Sequence, residues 1–172
     1  MHRRIASYTI LLGLTCLLSA CGFQLRGTGG EGTSIPDEWR SMHLVTGNPN
    51  GEFSREVQTR FAANGVDWKI RENANYLMVL GPARFSQRNL SLNSEARAAE
   101  FELTMRANFS VRDDKNQVVI ANTEVSTIKQ MENDPRNVVG KAEEVRILKS
   151  EMRAELAQQM MRRIGFFAAN TP

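Results

Sequence analysis

The chain has 172 residues, with 22 Lys and Arg against 19 Asp and Glu and a formal charge of +3. So small a surplus makes no strong global field and argues against a general nucleic-acid binder. The length suits one domain with a sizeable apolar core, and two cysteines are too few for a disulfide-dense scaffold.

The first predicted element is a targeting segment. Arg3 and Arg4 form a basic start, and residues 5–18 form a short apolar run. This is the pattern of a secretory signal peptide, and the run is shorter than the ~20 residues that cross a bilayer. Leu18-Ser19-Ala20-Cys21 closes it and resembles the lipobox of bacterial lipoproteins. That resemblance implies cleavage before Cys21, a diacylglycerol on its thiol and an acyl group on its new amine. Several chains hold firmly where one holds only marginally. Gly22 follows, which by resemblance to the usual sorting rule implies the outer membrane, with the folded part on the periplasmic side. The expected divisions are a cleaved signal at 1–20, a lipidated flexible tether at 21–36 and one domain at 37–172. Cleavage removes Arg3 and Arg4, lowering the formal charge from +3 to +1, and removes Cys16. No free thiol then remains.

Within the domain, residues 39–46 predict a first strand. Gly47-Asn48-Pro49-Asn50-Gly51 is a dense turn cluster. Glu52 to Ala63 predicts a helix, with Phe53, Val57, Phe61 and Ala62 toward one side. Asn64-Gly65 suits a left-handed helix stop. Val66 to Ile70 is a short candidate strand, and Tyr76 to Leu80 reads as a buried one. Gly81-Pro82 interrupts the run, since proline cannot donate to a ladder. Arg84 to Leu92 then resumes.

The clearest strand is Glu100 to Arg112. Phe101, Leu103, Met105, Ala107, Phe109 and Val111 alternate with polar residues, so one face is apolar and the other polar. Residues 113–117 form a hairpin loop, and Val118 to Lys129 returns. After a break at 133–137, a long helix is expected from Val139 or Gly140 to Ile164. Its apolar stripe is Val145, Leu148, Met152, Leu156, Met160 and Ile164. Arg162 and Arg163 fall in its expected last turn, with Gly165 as the stop. The order is β-α-β-β-β-α. The fold class is α+β: a two-layer sandwich with an about four-stranded sheet and both helices on one face.

Catalytic patterns are missing from the sequence. It has neither a Gly-x-Ser-x-Gly elbow nor a Walker-type phosphate loop. His43, inside the first strand, reads as structural rather than as a ligand or base. Glu95, Glu100 and Glu102 read as a solvated strand face. Met152, Met160 and Met161 read as core or partner surface, not a metal track. The expectation is a non-enzyme with no cofactor beyond the covalent lipid on Cys21.

Taken together, the lipobox, the Cys21-Gly22-Phe23-Gln24-Leu25-Arg26-Gly27 lead and three later elements carry a family resemblance. Those elements are Asn48-Pro49-Asn50-Gly51 before Phe53-Ser54-Arg55, Asn64-Gly65-Val66, and Ala99-Glu100-Phe101. The chain resembles the LPS-assembly lipoprotein LptE family. The resemblance implies a sheet with two helices and a plug seated 1:1 within the outer-membrane barrel LptD. The pair would deliver lipopolysaccharide to the outer leaflet, and the lipoprotein would assist barrel assembly. Lipid A carries phosphates, for which Arg and Lys are natural donors. Arg88 and Arg97, expected between the middle strands, and Arg136 and Lys141, before the last helix, are the candidates. Lys141 matches a basic position of the family. The family's other basic position falls near Ser94, with Arg97 only a neighbour. A rival reading is a scaffold lipoprotein of another envelope complex, such as the β-barrel assembly machinery. Another is a periplasmic hydrolase with an unrecognised site.

Overall fold

A computed structural model describes residues 35–92, 98–133 and 138–170. The expected signal segment and nearly all of the expected tether lie outside them, as do Arg97 and Arg136.

After a 3-10 turn at Asp37–Trp39, the elements are β1 (Ser41–Thr46), α1 (Glu52–Ala63), β2 (Asp67–Trp68), β3 (Tyr76–Leu80), β4 (Arg84–Leu92), β5 (Ala98–Asp113), β6 (Val118–Glu132) and α2 (Val138–Ala169). The α+β class is as read from the sequence, but among the described residues the sheet has six strands rather than about four. Two local features account for the difference. Asp67 and Trp68 pair in parallel with Ser41 and Met42, so the short candidate strand at 66–70 forms, over two residues only. The segment from Tyr76 to Leu92 runs along one edge of β5 as two strands, broken at Gly81-Pro82-Ala83. The Gly81 amide donates to the Asn108 carbonyl at 2.8 Å. A Cβ there would meet that same oxygen at 3.1 Å, so the break approaches β5 too closely for a comfortable side chain.

β1 lies between β2 and β3, parallel to both, while β3, β4 and β6 are antiparallel to β5. The long β5 is the spine: β6 pairs along one side, β3 and β4 share the other. Its alternation decides the layering. Phe101, Leu103, Met105, Ala107, Phe109 and Val111 are all buried, facing Phe53, Val57 and Phe61 of α1 and Met152, Leu156, Met160, Met161 and Ile164 of α2 in one core. Ala62 is exposed, and Ser54 takes a buried place on α1 instead, donating to the Asn48 carbonyl at 2.7 Å. Gly65, at φ +91°, ends α1 as expected, and the amides of Gly65 and Val66 return to the carbonyls of Ala62 and Phe61.

The last helix departs from expectation at its end. It continues through Gly165 to Ala169, so Arg162 and Arg163 precede its last turn. A mid-helix glycine costs roughly 1 kcal/mol relative to alanine. Here Gly165 is itself buried, and Ile164 and Ala168 beside it are buried too, so packing offsets that cost.

Helix α2 is tied to the edge strand by a polar cluster. Glu155 accepts from the Lys129 ammonium and the Thr127 hydroxyl, and Lys129 lies 3.8 Å from Glu151. The Lys129 hydrogen bond, then that of Thr127, holds the Glu155 carboxyl below the usual carboxylate range. Its stabilisation is therefore full above the unfolded glutamate value of about 4.3 and fades as the pH falls through the folded value. The group is partly exposed, so the effect is small, about 0–1 kcal/mol. Urea midpoints of wild type and Glu155→Gln should differ near neutrality, and the difference should shrink as the pH falls below the unfolded glutamate value. A gap that widens in acid would contradict this assignment.

Candidate functional site

Two surfaces hold the polar residues singled out in the sequence. One is the sheet face turned away from the helices, where cross-strand register sets the side chains. Arg84 pairs with Arg106, Ser86 with Thr104 and Arg88 with Glu102 across β4 and β5, while Ser126 and Gln130 continue the face on β6. Arg88 is therefore on a strand, not at a loop tip. Its fork meets Glu102 at 2.7 and 2.9 Å. That hydrogen bond raises the guanidinium's pKa and lowers the carboxyl's. Beside it, Ser91 donates to Glu100 at 2.8 Å. Arg84 and Arg106 stand directly opposite each other, exposed, and neither has an ion-pair partner among the described residues. Like charges directly opposite on a sheet destabilise it, so this pair favours an outside anion or acidic surface.

The second surface is the start of α2. Lys141 lies within the first turn rather than before the helix. Its Nζ sits 4.3 Å above the centroid of the Phe101 ring and donates to Asn133 Oδ1. Asn133 in turn donates its amide to the Ala99 carbonyl at 2.8 Å. The end of β6 and the start of β5 thus position the ammonium. A cation is unfavourable near a helix N-terminus, and the ring face offsets that by cation–π attraction. The lysine head keeps donors beyond the one given to Asn133. The structure brings Lys141 onto Phe101 and separates it from the Arg88–Glu102 pair by role. Ser94 lies outside the described residues.

Sequence reasoning missed the Arg84–Arg106 opposition and the Phe101 seat of Lys141. Both depend on register between distant segments, which no local pattern reveals. A cavity of about 600 Å³ also opens where α1 begins, with Phe53, Phe85 and Met105 in its lining. Its cations are already engaged: Arg153 is 3.2 Å from Glu52, and Lys149 lies 4.2 Å above Phe85. His43 lies on the open face and its Nδ1 is 2.8 Å from the Lys69 carbonyl, a backbone partner consistent with a structural role. The described residues contain no cluster of His, Cys, Asp and Glu that could hold a metal. No helix among them is long and apolar enough to cross a membrane.

Comparison with known proteins fits this architecture. Lipoprotein B of Nitrosomonas europaea superposes with a TM-score of 0.70 at 20% identity, covering 87% of this chain and 94% of that one. The rare lipoprotein B of Shewanella oneidensis gives 0.65 at 21% identity, covering 75% and 96%. These likenesses establish the fold. The LPS-assembly lipoprotein LptE of Yersinia pestis (strain Pestoides F) is 30% identical over 168 residues, 95% of this chain and 77% of that protein. The family model described as LptE, lipopolysaccharide-assembly, matches residues 39–164, from the 3-10 turn before β1 to deep within α2. The chain belongs to the LptE lipopolysaccharide-assembly family.

Proposed function

We propose that this protein is the lipid-anchored plug of the LptD outer-membrane barrel and helps deliver lipopolysaccharide to the outer leaflet. The observation that carries the reading is the one-sided burial of β5: a sealed apolar face under two helices and a face of Glu102, Thr104, Arg106, Asn108 and Ser110 behind them. The lumen of a large barrel is polar and wet. A body that sits there needs a closed core and polar outer walls, and the Arg84–Arg106 pair suits an acidic stretch of such a wall. One lipoprotein fills one barrel, a 1:1 heterodimer. Cys21 carries the acyl chains and holds the domain at the periplasmic side of the outer membrane. The action is binding and templating, not catalysis.

In the same reading Lys141 meets lipid A phosphates, with Arg136 and Arg97 as further donors. Lys141 is a point charge on a fixed seat, free to rotate its remaining donors toward an anion. Arg88, its fork spent on Glu102, is assigned to the face rather than to phosphate.

Lys141→Asp is expected to weaken binding of lipopolysaccharide to the purified full chain by roughly tenfold or more, since a hydrogen bond to a charged group is worth about 1.5–3 kcal/mol. Added salt should weaken the wild type in the same direction. An aspartate in the first turn suits the helix dipole, so folding does not obscure the result. Unchanged affinity would remove Lys141 as a donor.

A further inference from the structure

We propose that a groove near the C-terminal end of α2 binds one acyl chain of an anionic phospholipid, with the headgroup phosphate held by Arg162 and Arg163. The groove has a volume of about 500 Å³ and lies between α2 and the hairpin end of β5 and β6. Phe109 and Ile120 form its buried floor, and Phe166 and Phe167 line it on the helix side.

Two observations point to an amphiphile. Phe166 is 73% exposed, more than any other large apolar side chain described, although an ordered helix holds it there. Its ring therefore continues the apolar lining outward, uncovered. Arg162 and Arg163 stand at the rim, exposed, with no ion-pair partner among the described residues. Their neighbours one helical turn back are Gln158, Gln159 and Met160, so α2 supplies no acid to neutralise them. Gln159, also on the rim, is held by its hydrogen bond to the Ser126 carbonyl at 2.9 Å. The surface thus offers an apolar slot and two planar cationic forks with no local anion. Its complement is an apolar chain joined to a phosphate. A free phosphate would leave the slot and Phe166 uncovered. The volume suits one acyl chain rather than the several chains of a glycolipid.

This site is independent of Lys141. The two positions are 25 residues apart on α2, roughly 37 Å at the helical rise per residue, so either can fail alone.

The test places the full-length chain in phosphatidylcholine nanodiscs doped with phosphatidylglycerol bearing a photoactivatable acyl chain. Crosslinked peptides are then mapped by mass spectrometry. Labelling is expected on the peptides holding Phe166 and Ile120. Phe166→Ala, and separately the double change Arg162→Gln with Arg163→Gln, should each lower it by roughly tenfold, the scale of one lost charge-assisted hydrogen bond or one buried ring. All these side chains except Ile120 are exposed, and an unchanged thermal midpoint will show that the variants fold. Lys141→Asp should leave the labelling as it is. Equal labelling by photoactivatable phosphatidylcholine would overturn the proposal, because the forks would then select nothing. So would loss of labelling on adding inorganic phosphate, or labelling indifferent to the variants.

Discussion

Phe61→Ala is expected to lower the unfolding free energy by about 3–5 kcal/mol. Phe61 is fully buried at the end of α1, with its ring 5.9 Å from that of Trp68 on β2. Truncation removes the transfer energy of the ring and leaves a cavity that the surrounding sheet and helices fill only in part. The aromatic pair adds roughly 0.5–1.5 kcal/mol beyond area. The better helix propensity of alanine returns only a few tenths of a kcal/mol, up to about 0.7. Domains have ~5–15 kcal/mol in all, so the variant should lose a large share of its stability. Urea denaturation checks it, with Phe61→Leu as the milder apolar truncation for comparison. A loss below about 1 kcal/mol, the centre for ordinary substitutions, would show that α1 does not close the core as described.

A larger effect is expected of Met42→Asp. Met42 is fully buried on β1, in register with Trp68 on one side and Tyr76 on the other. Neither neighbour offers a cation. An ionised carboxylate there has no partner, and breaking such burial costs upward of about 4–5 kcal/mol, enough to unfold many domains. The pH response should run opposite to that of Glu155. Burial raises the folded pKa of the new aspartate, so the folded state binds the extra proton and the variant regains stability as pH falls through that value. Measured against Met42→Asn, which has no charge to lose, the gap should narrow toward acid. A gap independent of pH would show that the carboxylate reaches water.

How much of this could be read from the chain follows from where each signal resides. The helix Glu52–Ala63 and the strands Tyr76–Leu80 and Arg84–Leu92 carry their own boundaries, because turn residues and glycine or proline flank apolar runs. The alternation from Phe101 to Val111 similarly fixed which face of β5 is buried. The placement of β1 between two parallel neighbours is not local, and the candidate strand at 66–70 is too short for its pattern to set its bounds, so only Asp67-Trp68 pairs. Gly165 looked like a stop because its cost is local, whereas the packing that offsets it comes from the rest of the core. Candidate site residues fared the same way. Lys141 stood out as a cation at a helix start, but its seat on Phe101 joins segments 40 residues apart. Arg88 looked like a free donor because Glu102, which occupies it, is adjacent only through register. The Phe166 groove was invisible while the helix was expected to end before it.

The membership in the LptE family and the polar outer sheet face support the proposed reading of a protein that acts by sitting against another surface. The most direct test is affinity purification of the full-length chain from membranes, followed by identification and stoichiometry of what comes with it. The account predicts one very large outer-membrane barrel, LptD, in a 1:1 complex. Recovery of the chain with the β-barrel assembly machinery and without LptD would contradict it.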